Sequence, residues 1–374
     1  MEGLLGEVLR ESGGGCAVYS FIAGPVALGH GGLAARKFSL KFSQHKPHGS
    51  NAERVMVSVG VLLSRTVKTP LKWKLVVDGS TLSREIKPQV VVDLEEARYA
   101  KMVIDATPLL ASKFSERSVH SLFTYYDGAQ PITLADVFML TIYRPPADAR
   151  YSYSFKATYH TGAAALEPGD VVKVYSSLGR AQDEAWRLAV TGVQVPSPRL
   201  RVSLVAGGSR RDYASGPGYR RLRVEIPYRG SEVPVAVVNE PVDTPVYPRL
   251  SIVGDILVYE SRVEGLRVDV GEVSLEDSGG QTIVNAAIHN EGSIELRRIT
   301  VYVLPNPRHK VSIDSLKPGE SKRVRLLQAP GDKPPEWIAV EASAGGVPFY
   351  REYSINAHSR GEAKPGARGE HLSS

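Results

Sequence analysis

At 374 residues the chain is long enough for about two or three domains, each with a core of its own. Its 42% hydrophobic and 23% charged residues are ordinary for a globular protein and exclude wholesale disorder. The net charge of +6 is modest for this length, so it permits an acidic partner without requiring one. With 25 Pro, 35 Gly and few amphipathic helical patterns, the composition favours many short strands, and we expect an all-β protein.

The N-terminal residues 1–15 predict a short helix or an arm. Apolar residues such as Leu5 and Leu9 recur at helical spacing until a run of glycines ends the pattern. Residues 17–23 are apolar but lack a basic flank ahead of them, so we expect a first strand and no signal peptide. The single cysteine, Cys16, permits no internal disulfide.

Residues 16–146 predict a β-sandwich of the jelly-roll type. Short apolar runs alternate with turn residues, and Asp78-Gly79 and Asp127-Gly128 supply hairpin turns. The strand-like runs cover residues 38–42, 55–63, 71–77, 89–94, 101–105, 121–126 and 137–143. About seven strands over this length are typical of a jelly-roll or immunoglobulin-like sandwich.

Pro145 and Pro146 mark the first predicted domain boundary, because neither residue can donate a hydrogen bond to a strand ladder. Residues 147–240 resume the alternation and predict a second, smaller β-sandwich. The stretch 241–249 is rich in proline and shows no periodicity, which predicts an extended linker.

Residues 250–358 predict a third, immunoglobulin-like β-sandwich. Between residues 268 and 327, apolar and polar residues alternate at a period of two, and turn residues at 277–280 and 317–320 separate the runs. Apolar residues nearly vanish from 359 to 374, which predicts a disordered tail. The fold class that we expect is therefore all-β, with three tandem β-sandwich domains (jelly-roll or immunoglobulin-like) and a disordered C-terminal tail.

The third domain also resembles a known family. NAAIHNEGSIELRRITVYV followed by IDSLKPGESKRVRL is similar to the CARDB-type and related immunoglobulin-like modules of prokaryotic surface proteins. The residues that match the layout are Asn290, Gly292, Leu316, Pro318, Gly319 and Glu320. The resemblance implies a non-catalytic module that stacks, spaces or adheres.

The first domain carries a second resemblance. KMVIDATPLL, the following Phe-Thr-Tyr-Tyr and the strand DVFMLTIYRP look like the end of the galactose-binding-like jelly rolls of archaeal surface proteins. This resemblance also implies a non-catalytic module. A carbohydrate-binding jelly roll is one hypothesis for this domain, and its predicted stacking residues are Trp73, Tyr125 and Tyr126.

A stretch rich in arginine and tyrosine follows in the second domain. Its basic residues are Arg199, Arg201, Arg210, Arg211, Arg220, Arg221 and Arg223, and its aromatic residues are Tyr213 and Tyr219. Such side chains can hold a phosphate backbone and stack bases, which predicts binding of nucleic acid or another anionic polymer. The structural alternative is a solvated hairpin whose arginines protect a strand edge from pairing.

No motif in the sequence predicts catalysis, a cofactor or a metal site. The glycine-rich runs at 13–15 and 29–32 lack the Gly-Lys-Ser/Thr ending of a phosphate-binding loop. His45 and His48 are close in sequence, but Pro47 prevents the helix that would align them on a metal. No Gly-x-Ser-x-Gly elbow occurs. We expect no enzyme activity and no cofactor.

We expect a structural or binding protein of a prokaryotic cell-envelope or surface assembly, of the kind found in archaea. Its expected partners are other proteins of that assembly or further copies of itself, and no membrane-spanning helix is expected because no apolar run reaches about 18 residues. The alternatives are a carbohydrate-binding protein and a cytoplasmic binder of nucleic acid or another anionic polymer. The family resemblance places the protein at the cell surface, whereas the expected lack of a signal peptide places it in the cytoplasm.

Overall fold

The computed structural model describes residues 2–30, 34–146, 149, 152–182, 184–215, 217–244, 246–278, 280–305 and 307–356. These residues confirm the prediction of an all-β protein that contains several β-sandwiches. The tail predicted at 359–374 lies outside the described residues.

The first part of the chain supplies two sheets and one helix. Its elements are β1 (Glu2–Gly14), β2 (Cys16–Ala23), β3 (Val26–Leu28), β4 (Lys37–Ser43), β5 (Asn51–Ser64), β6 (Leu71–Val77), β7 (Ser80–Ile86), β8 (Val90–Asp93), β9 (Ala97–Asp105), α1 (Thr107–Glu116), β10 (Val119–Tyr125) and β11 (Ile132–Arg144). One sheet has the order β2-β11-β5-β9-β8, with β3 paired to β11, and the other has the order β4-β10-β6-β7.

The middle part of the chain completes two more sheets. Its strands are β12 (Tyr153–Leu166), β13 (Val171–Ser177), β14 (Trp186–Val195), β15 (Arg201–Ala206), β16 (Ser209–Ser215), β17 (Gly218–Glu225), β18 (Glu232–Asn239) and β19 (Ser251–Val263). A five-stranded sheet has the order β1-β12-β19-β14-β17, and a four-stranded sheet has the order β13-β18-β15-β16.

The last part of the chain forms a three-stranded and a four-stranded sheet. Its strands are β20 (Val268–Ser278), β21 (Gln281–Asn290), β22 (Leu296–Leu304), β23 (Lys310–Leu316), β24 (Ser321–Gln328), β25 (Trp337–Ala344) and β26 (Val347–Ser354). The sheets have the orders β20-β21-β24 and β23-β22-β25-β26. The side-chain amide of Asn290 donates to the carbonyl oxygens of Ile294 and Leu316, both at 2.8 Å. This residue of the surface-protein resemblance therefore holds a corner of the fold.

The chain divides into two compact units. The first unit is Met1–Glu264 with Ala344–Pro348, and the second unit is Gly265–Ser343 with Phe349–Ser374. The boundary predicted at Pro145-Pro146 and the linker predicted at 241–249 lie inside the first unit. Strand β19, which the sequence pattern assigned to the third domain, lies in the middle of the five-stranded sheet of the first unit.

The five-stranded sheet is covered on both faces. Along β12, Ala164 and Leu166 point into a core shared with the sheet β13-β18-β15-β16, whereas Ala163 and Ala165 point into a core shared with β8 and β9. Since successive side chains of a strand point to opposite faces, β12, β14 and β19 are buried at nearly every position. The regions predicted as the first and second sandwiches therefore share this sheet.

Strand β1 differs from the predicted helix or arm. It pairs antiparallel with β12 from Glu2 to Gly14, and this long ladder outweighs a helical pattern that would be marginal in isolation. At Gly15, with φ at 130°, the chain passes from the five-stranded sheet into β2 of the neighbouring sheet. A Cβ atom there would lie 2.2 Å from the carbonyl oxygen of Tyr143, so the position requires glycine.

Helix α1 is the element that the sequence analysis missed. Its first turn contains Pro108, which is favourable at a helix N-terminus, and the backbone N–H of Thr107 donates to Asp105 at 3.0 Å. Leu110 and Phe114, four residues apart, are its buried residues. The helix has ten residues, and such a short pattern is hard to distinguish from a strand and a turn by periodicity alone.

Candidate functional site

The predicted arginine-tyrosine stretch occupies β15, β16, β17 and their connections. The backbone of β16 pairs with β15 as a hairpin, as the glycines at 207 and 208 predict. The side chains of Arg210, Arg211 and Tyr213 lie outside what the structure describes. Binding by these three residues therefore stays a prediction.

The remaining arginines of this stretch do not share one face. Arg199, Arg201, Arg220 and Arg221 are exposed, and Arg223 is half-buried. Strand β17 is an edge strand, and its neighbouring residues Arg220 and Arg221 point to opposite faces of it. The positive charge is therefore spread along an edge and divided between two faces.

Tyr219 points into the protein. Its hydroxyl group is buried, its ring centroid lies 6.0 Å from that of Phe21, and a Cβ atom on Gly192 would lie 1.9 Å from its hydroxyl oxygen. The ring thus lies across Gly192 and packs between two sheets. The sequence predicted that Tyr219 would stack on a nucleic-acid base, but its ring is not placed to do so.

The predicted carbohydrate-stacking residues are likewise mostly interior. Trp73 and Tyr126 are 4% and 3% exposed, and each donates a hydrogen bond within the protein, Trp73 to Ser83 and Tyr126 to the carbonyl oxygen of Gln130. Only Tyr125 is half-exposed. Trp73 fails as a stacking residue because the alternation of β6 places it on the inner face.

The largest concentration of buried charge in the described residues is a site that the sequence analysis did not identify. The ammonium group of Lys101 lies 2.6 Å from Oδ1 of Asp136 and 2.7 Å from Oδ2 of Asp255. The side chain of Lys101 is 0% exposed, and those of Asp136 and Asp255 are 4% and 2% exposed. We refer to these three residues as the buried Lys–Asp cluster.

The buried Lys–Asp cluster lies between two sheets of the first unit. Lys101 in β9 and Asp136 in β11 both pair with Gly60 of β5, which runs between them. A Cβ atom on Gly60 would lie 2.1 Å from Oδ2 of Asp136, so the glycine leaves the space in which the two side chains meet. Asp255 reaches the same space from β19 of the facing sheet.

Hydroxyl groups donate further hydrogen bonds to both carboxylates. Oδ1 of Asp255 accepts hydrogen bonds from Ser58 at 2.8 Å, Tyr159 at 2.6 Å and Thr161 at 2.8 Å. Oδ2 of Asp136 accepts one from Tyr99 at 2.6 Å. The two carboxylates therefore differ, because Asp255 has three hydroxyl donors and Asp136 has one.

The electrostatics of the cluster follow from its burial. Burial opposes the charged form of Lys101, but the attraction of Asp136 and Asp255 outweighs it, so the pKa of Lys101 is raised above its usual value. Burial, aided by the charge of Asp255 and opposed by Lys101, raises the pKa of Asp136. Removing one partner of such a buried pair typically costs about 3–5 kcal/mol, because the remaining charge stays buried.

The sequence does contain a signal for this cluster. Lys101, Asp136 and Asp255 each interrupt an otherwise apolar strand, in YAKMVI, TLADVFML and SIVGDILVY. A charged residue at an inward position of a buried strand requires a partner. The three residues are separated by up to 154 positions along the chain, so the sequence alone did not identify which ones meet.

A second buried ion pair stabilises the five-stranded sheet. Oε2 of Glu260 accepts from Nε of Arg187 at 2.7 Å, and its Oε1 lies 2.9 Å from Nζ of Lys156. The guanidinium of Arg187 also donates to the carbonyl oxygens of Gly179 and Gly230, each at 2.6 Å. These contacts tie two loops to the strands.

A buried histidine–carboxylate pair lies beside helix α1. Nδ1 of His120 is 2.6 Å from Oδ2 of Asp78, and the imidazole ring stacks on Phe114 with centroids 3.8 Å apart. Burial lowers the pKa of His120 and outweighs the opposing attraction of Asp78. The imidazole is therefore held in its neutral form at neutral pH.

In the part of the chain that the structure describes, no group of three or more His, Cys, Asp or Glu side chains is arranged to hold a metal ion. His45 and His48 are both exposed in the segment between β4 and β5. No helix within the described ranges has the length and apolar character needed to cross a membrane.

Comparisons with known proteins give little guidance. No protein-family model matches the chain, and no curated protein matches it significantly. Among solved structures, the beta-glucuronidase of Ruminococcus gnavus is 9% identical with a TM-score of 0.20, and covers 53% of this chain and 36% of its own. A GH2 beta-galacturonidase from Eisenbergiella tayi is 9% identical with a TM-score of 0.19, and covers 53% of this chain and 35% of its own. The chain thus spans about a third of these enzymes, and at such scores the likeness supports no conclusion about its function.

Proposed function

We propose that this protein is a non-enzymatic structural or binding component of a prokaryotic cell-envelope assembly, and that it acts through its β-sandwich modules. The observation that carries the structural, non-enzymatic part of the proposal is the buried Lys–Asp cluster. Its charged groups are closed to solvent and join strands of two facing sheets. Such a placement closes the cluster to any external substrate, and its ionic contacts favour one arrangement of the two facing sheets.

The surface-protein resemblance in the second unit supports the same proposal. Asn290 accepts a hydrogen bond from the backbone N–H of Gly292 at 3.2 Å and receives one from Gly319 on its carbonyl oxygen at 2.8 Å. The matching residues therefore build one tight corner that spaces two strands. Modules of this type offer strand edges and loop ends to other proteins, so the proposed partners are proteins of the assembly or further copies of this chain.

Cell fractionation tests this proposal. Cells of the source organism are broken, the envelope fraction is washed at low and at high salt, and the protein is detected by immunoblotting in each fraction. We expect it in the envelope fraction at low salt. Recovery of the protein in the soluble cytosolic fraction alone, at low salt, would contradict an envelope role.

The exposed edge of β17 favours a second candidate, the binding of an anionic polymer. Arg220 and Arg221 are exposed there, and neighbouring arginines on an edge strand can contact a polyanion or simply prevent edge pairing. Replacement of both by Ser should weaken binding to single-stranded nucleic acid or a sulfated glycan, and should lower the salt-dependence slope by about 0.7–0.9 per lost phosphate contact.

The matched control removes equal charge from another exposed strand. Lys72 and Lys74 are exposed in β6 of the same unit, so their replacement by Ser should leave binding unchanged if the β17 edge is the site. Equal losses for both pairs would indicate a general charge effect. Absence of any binding by the unmodified protein at low salt would leave the arginines with a protective role only.

A further inference from the structure

We propose that Lys101 and Asp136 become joined by an amide bond between their side chains, with Asp255 as the catalytic proton carrier and one water molecule as the by-product. The starting observation is the distance of 2.6 Å between Nζ of Lys101 and Oδ1 of Asp136. The carbonyl carbon of Asp136 lies one bond beyond that oxygen. The hydrogen bond therefore holds the amine beside the carboxyl group that it would attack, and such proximity favours reaction.

The surroundings select Asp136 as the acyl group and Asp255 as the base. Oδ2 of Asp136 accepts the hydroxyl of Tyr99 at 2.6 Å, and this donor stabilises the negative charge that develops on that oxygen during attack. The raised pKa of Asp136 favours the neutral carboxyl form that an amine can attack, whereas the raised pKa of Lys101 favours its ammonium form, so a proton must first pass from Nζ to Oδ1. Asp255 accepts the hydroxyls of Ser58, Tyr159 and Thr161 on Oδ1, and its Oδ2 faces Nζ of Lys101, where it can accept a proton.

The reaction balances without any other reactant. One proton passes from the ammonium of Lys101 to Oδ1 of Asp136, which gives a neutral amine and a neutral carboxylic acid. The nitrogen lone pair then forms a C–N bond with Cγ of Asp136, and the carbonyl electrons move to Oδ2 beside Tyr99. Oδ2 of Asp255, 2.7 Å from Nζ, takes a second proton and passes it to the Oδ1 hydroxyl group. The bond between Cγ and Oδ1 breaks, water leaves, and Asp255 returns to its ionised form.

Burial and backbone geometry favour the reaction. The side chain of Lys101 is 0% exposed, so bulk water does not compete with the amine or hydrolyse the product. The absent side chain of Gly60 lets Lys101 and Asp136 meet across β5. The bond would tie β9 to β11 over the strand between them, which is a permanent cross-link in a protein whose single cysteine permits no internal disulfide.

Intact-mass spectrometry of the denatured full chain tests the proposal. We expect a mass lower than that of the unmodified chain by one water molecule, about 18 Da. In a tryptic digest, we expect a branched peptide that joins residues 99–113 to residues 118–150, because an acylated Lys101 is not cleaved. A wild-type chain at full mass with separate peptides would overturn the proposal, and this result does not depend on the folding of any variant.

Four substitutions assign the roles. Lys101→Arg keeps a positive charge but lacks the amine, Asp136→Ala lacks the acyl group, and Asp255→Asn keeps the shape but not the base, so all three should show the full mass. Asp136→Asn still offers an acyl group and should lose ammonia, about 17 Da, if the bond forms. Retention of the water loss in Lys101→Arg would refute the assignment to this cluster.

The chain offers a control lysine, Lys156, which is half-buried beside a carboxylate. Lys156 also meets a carboxylate, that of Glu260 at 2.9 Å, but Arg187 donates to the other oxygen of Glu260, where Asp136 has the hydroxyl of Tyr99. Lys156→Arg should therefore still show the loss of one water molecule relative to its own calculated mass, as the wild type does. Loss of water by ring closure at Asp78-Gly79 or Asp127-Gly128 would have the same mass but would persist in Lys101→Arg and give no branched peptide. That outcome would also overturn the proposal.

Discussion

The space above Gly60 gives a direct test of how the buried Lys–Asp cluster is packed. In Gly60→Ala, the new Cβ atom would lie 2.1 Å from Oδ2 of Asp136 and 2.2 Å from the hydroxyl oxygen of Tyr99. Contacts below about 3 Å do not occur for real Cβ atoms, so the two side chains must move apart. The backbone of Gly60 does not adopt a positive φ, so the substitution acts through this contact and not through backbone strain.

The expected loss of stability has two parts. Overpacking a well-filled interior costs about 1–3 kcal/mol. Displacing Tyr99 breaks its 2.6 Å hydrogen bond to Asp136 and leaves a buried hydroxyl without a partner, which costs about 1–3 kcal/mol more. The variant should therefore lose about 2–6 kcal/mol of unfolding free energy.

Urea unfolding followed by tryptophan fluorescence measures this loss, because Trp73 and Trp186 are both buried in the first unit. Gly6→Ala is the control, since a Cβ atom on Gly6 in β1 meets nothing within 4 Å. That variant should be unchanged or more stable by up to about 1 kcal/mol. The reasoning is refuted if Gly60→Ala unfolds within about 0.5 kcal/mol of the wild type.

Because burial lowers the pKa of His120, the unfolded chain binds a proton below about pH 7 that the folded chain does not bind. The free energy of unfolding should therefore fall as the pH decreases from about 7 to about 5. The urea midpoint should fall less over this range in His120→Gln than in the wild type. Proteolytic cleavage near Pro145-Pro146 should give two fragments that separate on a denaturing gel. The fragments should still elute together on native gel filtration, because β1 pairs with β12 across the cut. Fragments that elute apart would support the predicted domain boundary. A chelator should leave the melting temperature unchanged, and a fall of several degrees would reveal a metal site outside the described groups.

Local pattern predicted the strands of this protein well. Residues 71–77 were predicted as a strand, and β6 covers Leu71–Val77. Asp78-Gly79 was predicted as a hairpin turn, and both residues adopt the positive φ that this turn requires, 48° and 77°. These features depend on a few neighbouring residues, whose preferences act before any distant contact forms.

The sequence pattern gave wrong predictions where the contacts of a residue come from distant parts of the chain. Residues 1–15 carry a helical spacing, yet the chain there becomes β1 because it completes the edge of a sheet whose other strands begin at residue 153. Tyr219 and Trp73 look like surface aromatics in sequence, but their strands turn them inward. The pleat of a strand fixes which residues share a face, and only the facing sheet decides whether that face is buried.

The buried Lys–Asp cluster shows the same difference between local pattern and distant contacts. The sequence by itself determined that Lys101, Asp136 and Asp255 each interrupt an apolar strand, and that an all-β fold would contain those strands. Tertiary structure alone decided that β9, β11 and β19 bring the three side chains to one point, across separations of 35 and 154 residues. Alternation along a strand is a local property, whereas the choice of neighbouring and facing strands depends on the summed burial of whole sheets and on closing long loops.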